Sequence, residues 1–96
     1  MIDPGEFYLK LANEAGQLLK KGNQTIAVAE SVTAGPLQVS LSLAEKAMDF
    51  FQGGITAYNL GQKSKHLGID PINALCNDCV SEQIASRMAS AVAILF

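Results

Sequence analysis

Charge is scarce in this sequence: 17% of its residues are Asp, Glu, Lys or Arg, against roughly 25% in an average soluble domain. Neither sign dominates, since seven Lys and Arg against nine Asp and Glu leave a formal net charge of −2. No basic field is available to condense on a polyanion, so neither nucleic acid nor an anionic membrane is an expected partner. Long apolar runs are missing too. Ala89 to Phe96 and Thr25 to Ala29 stop far short of the roughly 18 residues a membrane span requires. Met1 to Gly5 carries no basic region of a signal peptide, and the expected compartment is the cytoplasm. Cysteine is limited to Cys76 and Cys79, too few for a disulfide scaffold. With a single histidine in the chain, this C-x-x-C pair also lacks the four ligands of a structural zinc, and neither metal nor cofactor is expected. What remains is apolar, at 49% hydrophobic residues, and 96 residues hold one domain, residues 1–96.

Asp3, Pro4 and Glu6 form a helix start: an N-cap, a proline at the first helical position and a capping-box acid. Phe7, Leu11, Leu18 and Leu19 recur at helical spacing, Lys20 and Lys21 suit the C-terminal dipole and Gly22 is the stop, so a helix is predicted over residues 4–21. Thr25 to Ala29 is short, almost continuously apolar and β-rich, as in a strand buried on both faces of a parallel sheet. Glu30 to Pro36 breaks that run, and from Pro36 the spacing of Leu37, Val39, Leu41, Leu43 and Ala44 is compatible with a helix. Gly53 to Tyr58 is the second predicted strand, with the paired glycines permitting close backbone approach at its start. Asn59 to His66 reads as a short helix or turn, and Gly68 to Pro71 as loop. Ser81 caps a last helix in which Ile84, Met88, Ala91, Val92 and Leu95 repeat at three- and four-residue intervals. Helix, βαβ unit and helix place the chain in the α/β class.

In an open α/β sheet, ligands sit beyond the carboxyl ends of strands, where Glu30, Ser31 and Thr33 fall. A helix starting near Thr33 would turn unpaired N–H groups toward the same spot, suited to a phosphate or a developing oxyanion. The plainer alternative is that Thr33 or Ser31 only caps that helix. Tyr58 ends the second predicted strand and Lys63 follows five residues later, so both could face the first strand's end. A serine needs a base to act as nucleophile, and a lysine serves as one only where burial or a cationic neighbour lowers its pKa. Considered alone, Lys63 beside Lys65 reads as ordinary solvated charge. His66, between Lys65 and Leu67, reads as a surface imidazole.

Four blocks in order and spacing resemble the CinA C-terminal domain family: Ala29-Glu30-Ser31-Val32-Thr33-Ala34-Gly35, Phe51 to Tyr58, Lys63 with Leu67-Gly68-Ile69, and Val80-Ser81-Glu82. The resemblance implies an α/β sandwich, represented here by its N-terminal helix, a βαβ unit and a further helix. Members of that family include nicotinamide mononucleotide deamidases, which hydrolyse the nucleotide's carboxamide to the acid and ammonia for pyridine nucleotide recycling. By the same resemblance Ser31 is the nucleophile, Tyr58 and Lys63 assist proton transfer, and Glu30, Thr33, Ala34 and Gly35 bind substrate, a small phosphorylated nucleotide. The family block usually reads Ala-Glu-Ser-Cys-Thr-Gly-Gly, whereas Val32 and Ala34 stand here at the cysteine and the first glycine. The lysine block usually reads Ser-Asn-Glu-Ala-Lys, and here Asn59, Leu60, Gly61 and Gln62 precede Lys63.

The resemblance covers about the first three fifths of the family domain, and the last helix is still apolar at Phe96, so the domain is expected to be incomplete. The alternative function is a catalytically inactive ligand-binding or assembly module of the same fold. Two parallel strands cannot cover their own edges, so the chain is expected to form a homo-oligomer through the Ile84 to Leu95 face and an exposed strand edge.

Overall fold

The computed structural model describes residues 4–72 and 81–96. Helix α1 runs Pro4–Lys21, as predicted. Its stop is set one residue later than expected, because Asn23 takes the left-handed turn at φ 53°. There the Gln24 N–H donates to Leu19 O at 2.8 Å, and Asn tolerates this conformation better than most residues. The expected cap, Asp3, lies outside the described residues, as do Cys76 and Cys79.

Strand β1 (Ile26–Glu30) pairs in parallel with β2 (Phe51–Thr56). Between them lie α2 (Pro36–Ser42) and a 3-10 turn (Ala47–Asp49). After β2 come α3 (Leu60–Leu67) and α4 (Glu82–Leu95). Both strands are displaced from the sequence reading. β1 extends to Glu30, and β2 begins at Phe51, which leaves Tyr58 two residues past its end. The cause is a bulge: Ile26 pairs with Phe51 but Ala27 with Gly53, so Gln52 is an extra residue that Gly53 accommodates at φ 131°. The glycine pair therefore sits inside the strand. A Cβ on Gly54 would come within 2.8 Å of Val28 Cγ2 and of the Gln38 side chain, so this glycine lets α2 lie close on the sheet.

Alternation along β1 sorts the core into two layers. Val28 joins Ala12, Leu41, Ala44 and Phe50 in one cluster. Ala27 and Ala29 pack instead against the cluster of Leu67, Ile84, Met88 and Val92. Helices α1 and α2 thus cover one face and α3 and α4 the other, the α/β sandwich expected. The face of α4 chosen from its spacing as a contact between copies is turned inward, because small alanines on β1 leave room for Ile84, Met88 and Val92 to bury. Of the large apolar side chains here, Ile94 and Leu95 at the end of α4 and Phe96 after it stay exposed. On α2, Leu41 is buried while Leu37 and Val39 are exposed, as is Leu43 at its C-cap, so this short helix uses one narrow face. Among the described residues, no helix is long and apolar enough to cross a membrane.

Candidate functional site

The carboxyl end of β1 is organised by Glu30. Its side chain is 3% exposed. Oε1 accepts from Thr33 Oγ1 and from the Leu37 N–H, Oε2 from the Gln38 N–H, each at 3.0 Å. Burial pushes its carboxyl up, but the Leu37 and Gln38 N–H groups, with the side chains of Thr33 and Gln38, outweigh this and hold it below its ordinary value. The acid is therefore ionised and caps α2 from the strand.

This bears out the helix read from Pro36 and corrects the expectation of a helix start near Thr33. α2 begins at Pro36, with Gly35 as N-cap at φ 121° and no cap bond from its own residue. Neither Ser31 nor Thr33 is the cap, and the first-turn N–H groups do not point at open space. Pro36 has none, those of Leu37 and Gln38 go to Glu30, and that of Val39 goes to Gly35 O at 3.0 Å. The chain reaches Gly35 through a tight turn in which the Ala34 N–H donates to Ser31 O at 3.1 Å and Ala34 sits at φ 61°.

Ser31 follows the strand directly, half-buried, and its Oγ–H donates to the backbone carbonyl of Tyr58 at 3.4 Å. The ends of the two strands are held together beside it by the Ala57 N–H on Glu30 O at 2.9 Å. Lys63 is presented by α3, whose start is fixed by Asn59 Oδ1 accepting from the Gln62 N–H at 2.9 Å. Its side chain is 3% exposed, so the reading of Lys63 as solvated charge is overturned, whereas Lys65 is exposed. His66 is exposed as expected, with Nε2 2.9 Å from Gln62 Oε1.

Ser31, Thr33, Glu30 and Lys63 line one cavity of about 670 Å³. That is within the roughly 300 to 1,000 Å³ of small-molecule sites. Tyr58 is not brought to it: the residue is 65% exposed and meets the site only through its backbone carbonyl. Ala34 and Gly35 shape the turn without lining the cavity. Two polar residues the sequence reading did not single out do line it, namely Tyr8 and Ser40, together with Ser81, which was read only as a helix cap and part of a family block. Ser40 was detectable, since it lies three residues after Leu37 and next to Leu41 on the same short helix. Tyr8 was not, because its placement depends on how α1 crosses the sheet.

Residues 8–96 match the family model of the CinA C-terminal domain. A CinA-like protein of Synechocystis sp. is 42% identical over 83 residues, which are 85% of this chain and 20% of that protein. A competence-damaged protein (CinA) superfamily protein from Escherichia coli is similar with a TM-score of 0.86 and 25% identity, over 96% of this chain and 54% of its own. One from Enterobacter cloacae gives 0.87 and 27% identity over 92% and 52%. The chain thus spans about a fifth of the length of the curated relatives it matches and about half of the solved ones.

Proposed function

The chain belongs to the CinA C-terminal domain family, and on that footing we propose that it carries the nucleophilic part of an amidohydrolase site acting on the carboxamide of nicotinamide mononucleotide. The observation that supports this most is the meeting of half-buried Ser31 and buried Lys63 in one cavity at the carboxyl end of β1. Ser31 Oγ attacks the amide carbon, and its proton passes with the assistance of Lys63 to the amide nitrogen. The tetrahedral oxyanion then collapses, expelling ammonia, and water hydrolyses the acyl-serine ester to the carboxylate. Before attack the Ser31 hydroxyl leaves the Tyr58 carbonyl, a bond at the long limit of hydrogen bonding and cheap to break. Apolar lining receives the ring, Lys63 is the single basic residue among those lining the cavity, Glu30 and Thr33 line it beside Ser31, and Ala34 and Gly35 shape the turn that presents them. Self-association belongs to the same proposal.

A second reading, a ligand-binding or assembly module without catalysis, is favoured by the exposed Tyr58 ring and by the commitment of the α2 N–H groups to Glu30. Ammonia release from nicotinamide mononucleotide separates the two. Turnover that Ser31→Ala abolishes, with the thermal transition kept within about 1 kcal/mol, supports the hydrolase; unchanged turnover in that variant removes Ser31 from the mechanism, and no turnover in the wild-type chain favours the module.

A further inference from the structure

Tyr8 is the single aromatic residue among those lining the cavity, and the amide chemistry gives it no part. Chain geometry sets its height. α1 leads through the turn at Asn23 directly into β1, and Leu19 and Ile26 pack against the same cluster, so helix and strand run side by side in opposite directions. From Leu19 back to Tyr8 the helix rises about 16 Å. From Ile26 to Ser31 an extended chain also advances about 16 Å. Tyr8 therefore stands level with Ser31, on the wall of the cavity that α1 supplies.

The ring is open to a ligand. Tyr8 is more than half exposed, and its T-shaped contact with Phe7, at 5.7 Å between ring centroids, covers at most one face of it. An aromatic face carries negative charge density and attracts a cation. Formal charge elsewhere in the lining favours neither sign, because among the described residues only Glu30 and Lys63 bring charge to it and theirs cancel. The rest of the lining is hydroxyl and apolar side chains. For a positive charge carried on a flat ring, the face of Tyr8 is the favoured place in this cavity.

We infer that Tyr8 is a specificity-determining residue that stacks on the pyridinium ring of the ligand and selects the cationic nucleotide over neutral carboxamides. This rests on the reading of the ligand as nicotinamide mononucleotide. In that nucleotide the ring nitrogen is bonded to ribose and carries a formal positive charge, whereas free nicotinamide and benzamides carry none. Stacking also fixes the plane of the ring. A carboxamide conjugated with that ring is then presented to Ser31 in a restricted set of orientations, which is what nucleophilic attack requires.

Two nucleotides of the same shape test it: nicotinamide mononucleotide, and the C-nucleotide in which a neutral benzamide ring replaces the pyridinium. Their dissociation constants are measured by calorimetry on the Ser31→Ala chain, which prevents turnover, while the ligands' ring protons are followed by NMR. The cationic nucleotide should bind about three- to tenfold more tightly, with its ring protons shifted upfield by the aromatic face. Tyr8→Leu, at an exposed helical position that leucine suits, should bring the two affinities together and remove the shift, whereas Tyr8→Phe should keep both. Equal binding of the two nucleotides before substitution, a preference that survives Tyr8→Leu, or one that Tyr8→Phe also loses overturns the inference and leaves the hydrolase reading standing. A preference that depends on Tyr8, with no ammonia released by the chain that keeps Ser31, supports the inference while the hydrolase reading fails. Binding of neither nucleotide overturns both.

Discussion

Glu30→Gln tests whether the site turn is held by a charge. The variant keeps side-chain shape and burial while replacing one acceptor oxygen by an amide donor. Oriented to keep Oε1, it retains the Thr33 and Leu37 bonds as neutral ones, but its NH2 then faces the Gln38 N–H, which loses its acceptor. An orphaned donor costs about 1 to 3 kcal/mol, and weakening two charge-assisted bonds adds roughly another 1 kcal/mol, for about 2 to 4 kcal/mol in all. For a domain of this size that lowers the thermal midpoint by about 10 to 20 °C. The pH dependence has a definite sign. The carboxyl is held below its ordinary 4.5 in the folded chain, so its contribution is fully present above that value and is lost as pH falls through the lower folded one. Urea unfolding followed by circular dichroism at neutral pH and near about pH 3 should show the gap between wild type and variant shrinking with acid. A gap below about 0.5 kcal/mol, or one equal at both pH values, would refute the assignment of an ionised cap.

Three further outcomes follow from other positions. Ala34→Gly relieves a non-glycine residue at φ 61°, a strain of about 1 to 2 kcal/mol partly offset by glycine's entropy, so the urea midpoint should rise by the equivalent of about 0.5 to 1 kcal/mol; a fall would mean the turn is unstrained. Gly16→Ala puts a Cβ 2.6 Å from Phe50 Cε1 and Cζ, and Phe50 is fully buried, so overpacking should exceed the gain in helix propensity and cost about 1 to 2 kcal/mol in thermal unfolding, whereas stabilisation would show that the ring can move. Sedimentation at micromolar concentration should find the chain associated through the exposed Ile94, Leu95 and Phe96 at the end of α4, and Ile94→Lys should shift it toward monomer.

The parts of this molecule that were legible in sequence are those decided by neighbours along the chain. α1 starts at its proline with Glu6 in the first turn and ends on its two lysines, and α4 follows Ser81, whose Oγ accepts the Ile84 N–H at 3.2 Å. The misplaced features depend on contacts distant in sequence. Lys63 is buried on α3, which packs against α4, and no local pattern distinguishes it from Lys65. The start of α2 is the most instructive case. Thr33 and Ser31 have the chemistry of helix caps, and position alone made either a reasonable choice. Two consecutive residues with positive φ, Ala34 at 61° and Gly35 at 121°, interrupt the backbone before a helix can propagate from Thr33, and Pro36 then supplies the φ that starts one. The family's usual Gly-Gly at these positions carried that information, since a glycine pair suits two such residues in succession. Ala34 obscured it by placing a side chain where the backbone still takes the glycine conformation. What the turn loses in local preference, the Glu30 carboxylate restores from the strand by capping the displaced helix, and Ser31 is thereby held at the end of β1.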